Sequence, residues 1–153
     1  MLSFVDLNGF AVDLTFEKKC FKKEAGHVLV VLKHDGNWLL TRHPSRGVEF
    51  PGGKREVGET IVEAAIRETI EETGVTITNV EKFAQYVVHD TVPFYKTVFT
   101  GRVLHINKGF ERYETEGAVW LTNGELVACD ELSFYMRDAG MSAILKWVDT
   151  HES

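Results

Sequence analysis

Apolar and polar residues alternate at Phe10, Val12, Leu14 and Phe16. A period of two is the mark of a strand with one buried face, so an extended segment is expected within residues 3–16. His27–Lys33 and Asn37–Arg42 read as two more strands flanking Asp35-Gly36. That dipeptide favours the tight turn of a hairpin. Pro51-Gly52-Gly53 then breaks the pattern and predicts a loop.

The period changes after residue 60. Val62, Ala65, Ile66, Thr69, Ile70 and Thr73 fall on one face at helical spacing. Thr60 with Glu63 three residues on forms a capping box, and Gly74 suits the left-handed position that ends a helix. A helix over 60–73 is therefore expected. Strands follow at about 75–88 and 93–106, with a shorter one at 117–122. Residues 131–137 and 139–150 read as helical, the second through Met141, Ile144, Leu145 and Val148. Strands first, one helix in the middle and helices at the end predict an α+β sandwich.

No repeat or Pro/Gly/Ser linker interrupts the chain, so residues 1–153 are expected to form one domain. The longest strongly apolar run, Val28–Leu32, is far below the roughly 20 residues a bilayer span needs. The N-terminal residues have neither a basic nor an apolar leader pattern. Cys20 and Cys129 lie far apart without metal-ligand spacing and read as reduced thiols. A cytoplasmic protein with no membrane contact and no obligate protein partner is expected.

Composition adds one fact that matters. The 153 residues carry a net charge of −6, too acidic for a nucleic-acid coat protein, and 44% are apolar, which is enough for a core. Residues 49–72 hold seven acids and three bases, or −4 of that −6.

Three of those acids share one part of the predicted helix. Glu68, Glu71 and Glu72 are spaced i, i+3, i+4 and span an arc of about 100°, opposite the apolar stripe. Like charges at this spacing repel. Glu71 and Glu72 also sit in the last turn, where the helix dipole disfavours anions by roughly 0.3–1 kcal/mol each. Arg67 offsets part of this by pairing with Glu71 at i, i+4. A hard divalent cation, Mg²⁺ or Mn²⁺, would offset the rest, because such ions prefer carboxylate oxygens. An ordinary solvated acidic face is the alternative.

The surrounding residues favour the cation. Gly53, five residues, Glu59, seven residues, then Arg67-Glu68-Thr69-Ile70-Glu71-Glu72-Thr73-Gly74-Val75 resembles the Nudix box over residues 53–75. Every fixed Gly, Glu and Arg of that pattern is present. Thr69 is the one departure, at an aliphatic position that concerns packing. The flanking stretches His27–Leu29, Trp38–Thr41 and Arg46–Lys54 resemble the MutT-like nucleoside triphosphatases of bacilli within that family.

The resemblance implies an α/β/α sandwich around a mixed sheet, with the box as a loop-helix-loop. It implies a hydrolase that converts (deoxy)nucleoside triphosphates such as dGTP or 8-oxo-dGTP to the monophosphate and pyrophosphate, using Mg²⁺ or Mn²⁺. A pyrophosphohydrolase acting on triphosphorylated RNA 5′ ends is the alternative, with the same site and a polymer substrate. A non-catalytic nucleotide sensor is a third reading, and the complete glutamate set counts against it. By matching position, Glu68, Glu71, Glu72 and the Gly52 carbonyl are implied metal ligands. Glu68 is the implied base, and Glu59 and Arg67 orient the glutamates. A further ligand is expected from Glu114, with Glu116 and Glu111 as alternatives ahead of the strand at 117–122.

Lys54, Arg42 and Arg46 lie next to this segment and are candidates for binding substrate phosphates. Lys18, Lys19, Lys22 and Lys23 form a basic cluster that either holds an RNA backbone or merely solvates a turn. Trp38, Phe50, Tyr86, Phe94 and Tyr95 are candidate nucleobase contacts that sequence alone does not separate from core residues. The six histidines show no i, i+4 pairing and receive no role.

Overall fold

The computed structural model describes residues 1–22, 25–107 and 117–151. Among the described residues, ten strands and three α-helices follow one another. β1 (Leu2–Val5) and β2 (Ala11–Thr15) come first. β3 (His27–Val30), β4 (Lys33–His34), β5 (Asn37–His43), β6 (Gly47–Glu49) and β7 (Gly52–Lys54) precede α1 (Ile61–Thr73). β8 (Val75–His89), β9 (Phe94–Ile106) and β10 (Ala118–Leu121) precede α2 (Asn123–Ala128) and α3 (Ala139–His151).

Six strands form one sheet in the order β1-β2-β8-β9-β3-β7, in which β3 runs parallel to β9 and the other pairs are antiparallel. This is a mixed sheet, as expected. β10, β5 and β4 form a second sheet, and β6 pairs with β5. Alternation along each strand feeds two cores on opposite faces of the large sheet. Val98 joins Met141, Ile144 and Val148 of α3, whereas the next residue, Phe99, joins Ala64 and Ala65 of α1. Each face therefore carries a helix, which gives the α/β/α layering.

Several elements differ from the sequence reading, each for a local reason. Residues 3–16 are a hairpin rather than one strand. The Asp6 carboxylate accepts the Asn8 and Phe10 N–H groups at 2.9 Å each, and Gly9 has φ +86°. Such a side-chain turn reverses the chain. The stretch 27–33 divides after Val30, with β3 in the large sheet and β4 in the small one. Asp35 (φ 51°) and Gly36 (φ 80°) make the expected turn between β4 and β5.

Gly52-Gly53 is not loop but part of β7, paired to β3. A Cβ on Gly52 would sit 2.3 Å from the Val28 carbonyl oxygen, so only glycine allows this approach. The helix expected at 131–137 shrinks to one 3-10 turn at Phe134–Met136, because Leu132 bridges to Val48. The short helix α2 was missed. Its signal was present, since Thr122 and Glu125 form a second capping box.

The helix α1 ends as expected. Thr60 Oγ1 accepts the Glu63 N–H at 3.1 Å, Glu63 Oε1 accepts the Thr60 N–H at 2.9 Å, and Gly74 is left-handed at φ 75°. Its buried side is turned from the expected face, since Ala65, Thr69 and Thr73 are buried as expected but Glu68 and Glu72 are buried with them. Ala64, Ala65, Glu68, Thr69, Glu72 and Thr73 are buried, while Val62 is exposed. Glu68 and Glu72 thus lie on the buried flank, next to the apolar stripe rather than opposite it. Among the described residues no helix is long and apolar enough to cross a membrane.

Candidate active site

The capped helix α1 and the short strand β7 hold the box glutamates in place. Arg67 is the hub. Its guanidinium grips Glu59 with two hydrogen bonds, Nε to Oε2 at 2.7 Å and Nη2 to Oε1 at 3.0 Å. Nη1 donates to Glu68 Oε1 at 2.9 Å and to Glu71 Oε2 at 3.1 Å. Nη2 also reaches the Lys54 carbonyl at 3.1 Å, which ties the helix to the end of β7. A planar guanidinium serves several acceptors at fixed angles, which a lysine cannot do. These contacts hold the Arg67 pKa above its ordinary value and the Glu59 pKa below its own.

Glu68 and Glu72 are 8% and 6% exposed, and their carboxyl groups lie against each other. Glu72 Oε1 accepts the Gly52 N–H at 3.0 Å. Glu68 packs on Gly53, where any Cβ would fall 2.6–2.8 Å from the carboxyl atoms. Burial raises both acids. Burial, with Glu68 and Glu49 close by, pushes Glu72 up to about 9 despite the Gly52 N–H. Two buried carboxyls in contact cannot both ionise without a compensating charge.

Glu71 is drawn to Arg67 and stays partly exposed. Among the described residues no three carboxylate, imidazole or thiolate groups converge on one point. The donors in hand are therefore a hard-oxygen pair, with a third glutamate, Glu71, on the same helix and bonded to Arg67. That chemistry fits a hard divalent cation.

A cavity of about 530 Å³ opens beside this pair. Gly52, Gly53 and Lys54 line it on the box side, and Tyr86, Lys96 and Asp138 are among its other lining residues. Lys54, His27, Lys96 and Tyr86 occupy one row across four adjacent strands, set by the pairs His27↔Lys54, His27↔Lys96 and Tyr86↔Lys96.

The expected site residues divide as follows. Gly52, Glu59, Arg67, Glu68, Glu71 and Glu72 come together. Lys54 and Arg46 reach the cavity, and Arg46 is held by Glu49 through Nη2 at 2.7 Å and Nε at 3.2 Å. Arg42 is not at the cavity wall; its Nη1 donates to Glu131 instead. Glu114, Glu111 and Glu116 lie outside the described residues, as does Lys23. Lys18 pairs with Glu81 at 2.8 Å, which suits a structural turn. Cys20 and Cys129 are free thiols.

Among the aromatic candidates, Trp38 is core, with its Nε1 donating to Asn123 at 2.7 Å. Phe50 is also buried, though its edge reaches the cavity wall. Tyr86 and Phe94 line the cavity, and Tyr95 does not. Sequence reasoning missed Glu49, Lys96, His27, Tyr135 and Asp138 as cavity residues. The spacing of Asp138 from Met141 was a usable signal, because Asp138 Oδ1 caps α3 by accepting the Met141 N–H at 2.8 Å. Nothing in the strand pattern marked Lys96.

Comparison with known proteins agrees with this architecture. The NUDIX domain family matches residues 22–147. The Bacillus subtilis protein named "Putative 8-oxo-dGTP diphosphatase YtkD" is 34% identical over 149 residues, covering 95% of this chain and 94% of that protein. The crystal structure of the Bacillus subtilis pyrophosphohydrolase BsRppH, solved as a glutamate-to-alanine variant, is 32% identical and superposes with a TM-score of 0.89 over 99% of this chain and 98% of that one. A NUDIX hydrolase from Nitrosomonas europaea shares the fold at 21% identity, with a TM-score of 0.69 over 82% of this chain and 89% of its own. With the box glutamates assembled on α1, and a family match spanning most of its length, the chain belongs to the Nudix hydrolase family.

Proposed function

We propose that this protein is a Mg²⁺- or Mn²⁺-dependent pyrophosphohydrolase of (deoxy)nucleoside triphosphates, with dGTP and 8-oxo-dGTP among its substrates. The observation that carries the reading is the buried Glu68–Glu72 pair packed on Gly52 and Gly53, two glycines that line a cavity of about 530 Å³. The name of the Bacillus subtilis relative supports the substrate. Nudix hydrolases generally use divalent metal ions. On this reading Glu68, Glu71, Glu72 and the Gly52 carbonyl hold the cation, with Glu114 contributing from beyond the box.

When bound, the ion supplies Lewis-acid neutralisation of phosphate charge. The chain supplies position. Glu68 accepts the proton of the attacking water, so that hydroxide adds to phosphorus while the bond to the bridging α–β oxygen breaks. The products are a nucleoside monophosphate and pyrophosphate. Arg67 fixes Glu68 and Glu71 and is itself fixed by Glu59. Lys54 and Arg46 face the substrate phosphates from the cavity wall. Arg42 takes no part while Glu131 engages it. The reading implies a single-domain cytoplasmic enzyme, where nucleoside triphosphates are available.

A second reading has its own support. The likeness to BsRppH over nearly the whole of both chains favours a 5′-triphosphorylated RNA end as substrate of the same site. A matched panel decides between them: kcat/KM for dGTP, 8-oxo-dGTP, GTP, ADP-ribose and triphosphorylated RNA, each with Mg²⁺ and with EDTA. Metal-dependent release of pyrophosphate from free nucleotides supports the first reading, and a preference for RNA supports the second. Binding without turnover of any of them would make the protein a nucleotide sensor.

A further inference from the structure

Acids and bases both line the cavity, but only the acids are served. Asp6 accepts the Asn8 and Phe10 N–H groups at 2.9 Å each. Glu49 takes two hydrogen bonds from Arg46, at 2.7 and 3.2 Å. Asp90 accepts the Thr91 N–H at 2.6 Å, and Asp138 accepts the Met141 N–H at 2.8 Å. Three nitrogen-bearing side chains of the same lining have no such partner. Among the described residues, no hydrogen bond or ion pair holds the Lys54 ammonium, the His27 ring or the Lys96 ammonium. Every fully buried side-chain nitrogen and oxygen among the described residues is partnered, so the unpartnered Lys96 ammonium reaches open space.

These three are neighbours. The pairs His27↔Lys54 and His27↔Lys96 set them in one row across β7, β3 and β9. Adjacent strands lie about 4.8 Å apart, so the two lysine backbones are about 10 Å apart, and their long stems close that gap from both ends. Crowded cations repel. Burial, then Lys96, then Lys54 hold the His27 pKa below its ordinary value. Lys96 feels the charges of Glu49 and Asp138, but forms an ion pair with neither. Its ammonium lies 5.2 Å from the centre of the Tyr135 ring, a contact that braces it and leaves N–H donors unused. What the row lacks is a chain of anionic acceptors.

The geometry points to Lys96 as a phosphate-binding residue, which with Lys54 grips the substrate's polyphosphate from the two sides of His27. The assignment rests on the proposed triphosphate substrate. A free nucleotide and an RNA 5′ end present the same phosphate groups to it.

The test is calorimetric titration with inorganic pyrophosphate in EDTA, a probe that carries no base and that no metal then bridges to the glutamates. Wild type, Lys96→Met and Lys96→Arg are compared. Methionine keeps the apolar stem, and arginine keeps the charge. Lys96→Met should weaken pyrophosphate about tenfold to a hundredfold, the scale of a charge-assisted hydrogen bond, and Lys96→Arg should restore most of the loss. A purely structural lysine would lower the denaturation midpoint and leave the affinity unchanged. Trace acetylation of wild-type lysines, read by mass spectrometry, needs no variant. Pyrophosphate should protect Lys96 and Lys54 and leave Lys18 as it was. Absence of binding by wild type, equal affinity of Lys96→Met, or unprotected Lys96 would overturn the assignment. KM of wild type and Lys96→Met for dGTP and for triphosphorylated RNA separates the two sources, since it should rise for whichever the site takes. Failure of the proposed reaction is a separate result: triphosphates would not turn over with Mg²⁺ while pyrophosphate still bound through Lys96.

Discussion

Glu72 Oε1 accepts the N–H of Gly52 at 3.0 Å, joining the last turn of α1 to the first residue of β7. The bond sets the depth of the glutamate pair against the sheet. It also makes the site sensitive to a residue that carries no chemistry of its own. Gly52→Ala would place a methyl group 2.3 Å from the Val28 carbonyl oxygen, a backbone atom that cannot swing away. Overpacking of this kind costs about 1–3 kcal/mol. We expect Gly52→Ala to lower the denaturation midpoint and to lose most activity together. A midpoint equal to wild type would show that β7 yields more easily than its pairing suggests.

Glu68 and Glu71 both bond to Arg67, but they differ in surroundings. Glu68 is buried against Glu72, while Glu71 is partly exposed. Glu68→Gln should therefore reduce kcat by about a hundredfold or more, the scale of general-base loss, with little change in secondary structure. Glu71→Gln should cost clearly less rate. Equal losses, read by single-turnover kinetics, would remove the special role of Glu68.

Arg67→Lys keeps the charge and loses the fork. Nε and Nη2 hold Glu59 together, and Nη1 spans Glu68 and Glu71. One ammonium cannot reproduce both. The expected result is a fall in kcat of about tenfold to a hundredfold with KM nearly unchanged, because what is lost is orientation. A rise in KM alone would place Arg67 on the substrate instead.

Arg67, Glu68 and Glu71 were legible in the sequence because their spacing is local. A capping box, a left-handed glycine and an i, i+4 ion pair all lie within one helix, and each formed as expected. The strand pattern also located β8 and β9, where alternation is long. What failed was non-local. Glu68 and Glu72 looked solvent-facing because helical periodicity counts only apolar residues, and here a glycine-lined strand buries two acids. Lys96 and Asp138 were invisible because their neighbours come from strand registry and from a helix start 42 residues farther on. Arg42 misled for the same reason, since its partner Glu131 lies on a distant segment.

Stability should depend on pH through Glu72, and the sign follows from its environment. Burial raises this acid from the ordinary carboxylate range to about 9 in the folded protein. The folded state therefore holds a proton that the unfolded chain releases at lower pH. The contribution to stability is complete below the unfolded value and is lost as pH rises toward about 9. In EDTA, the denaturation midpoint of wild type should fall across that window. Glu72→Gln cannot ionise, and its midpoint should fall less. Adding Mg²⁺ should reverse the trend for wild type, because a cation that binds the ionised pair stabilises the folded state more as pH rises. The variant should gain less from Mg²⁺. Midpoints measured by thermal scans between pH 5 and 9, with and without the ion, check all three statements. A wild-type profile parallel to that of Glu72→Gln in EDTA would mean that Glu72 is ionised without help, and the buried pair would then need no cation to balance it.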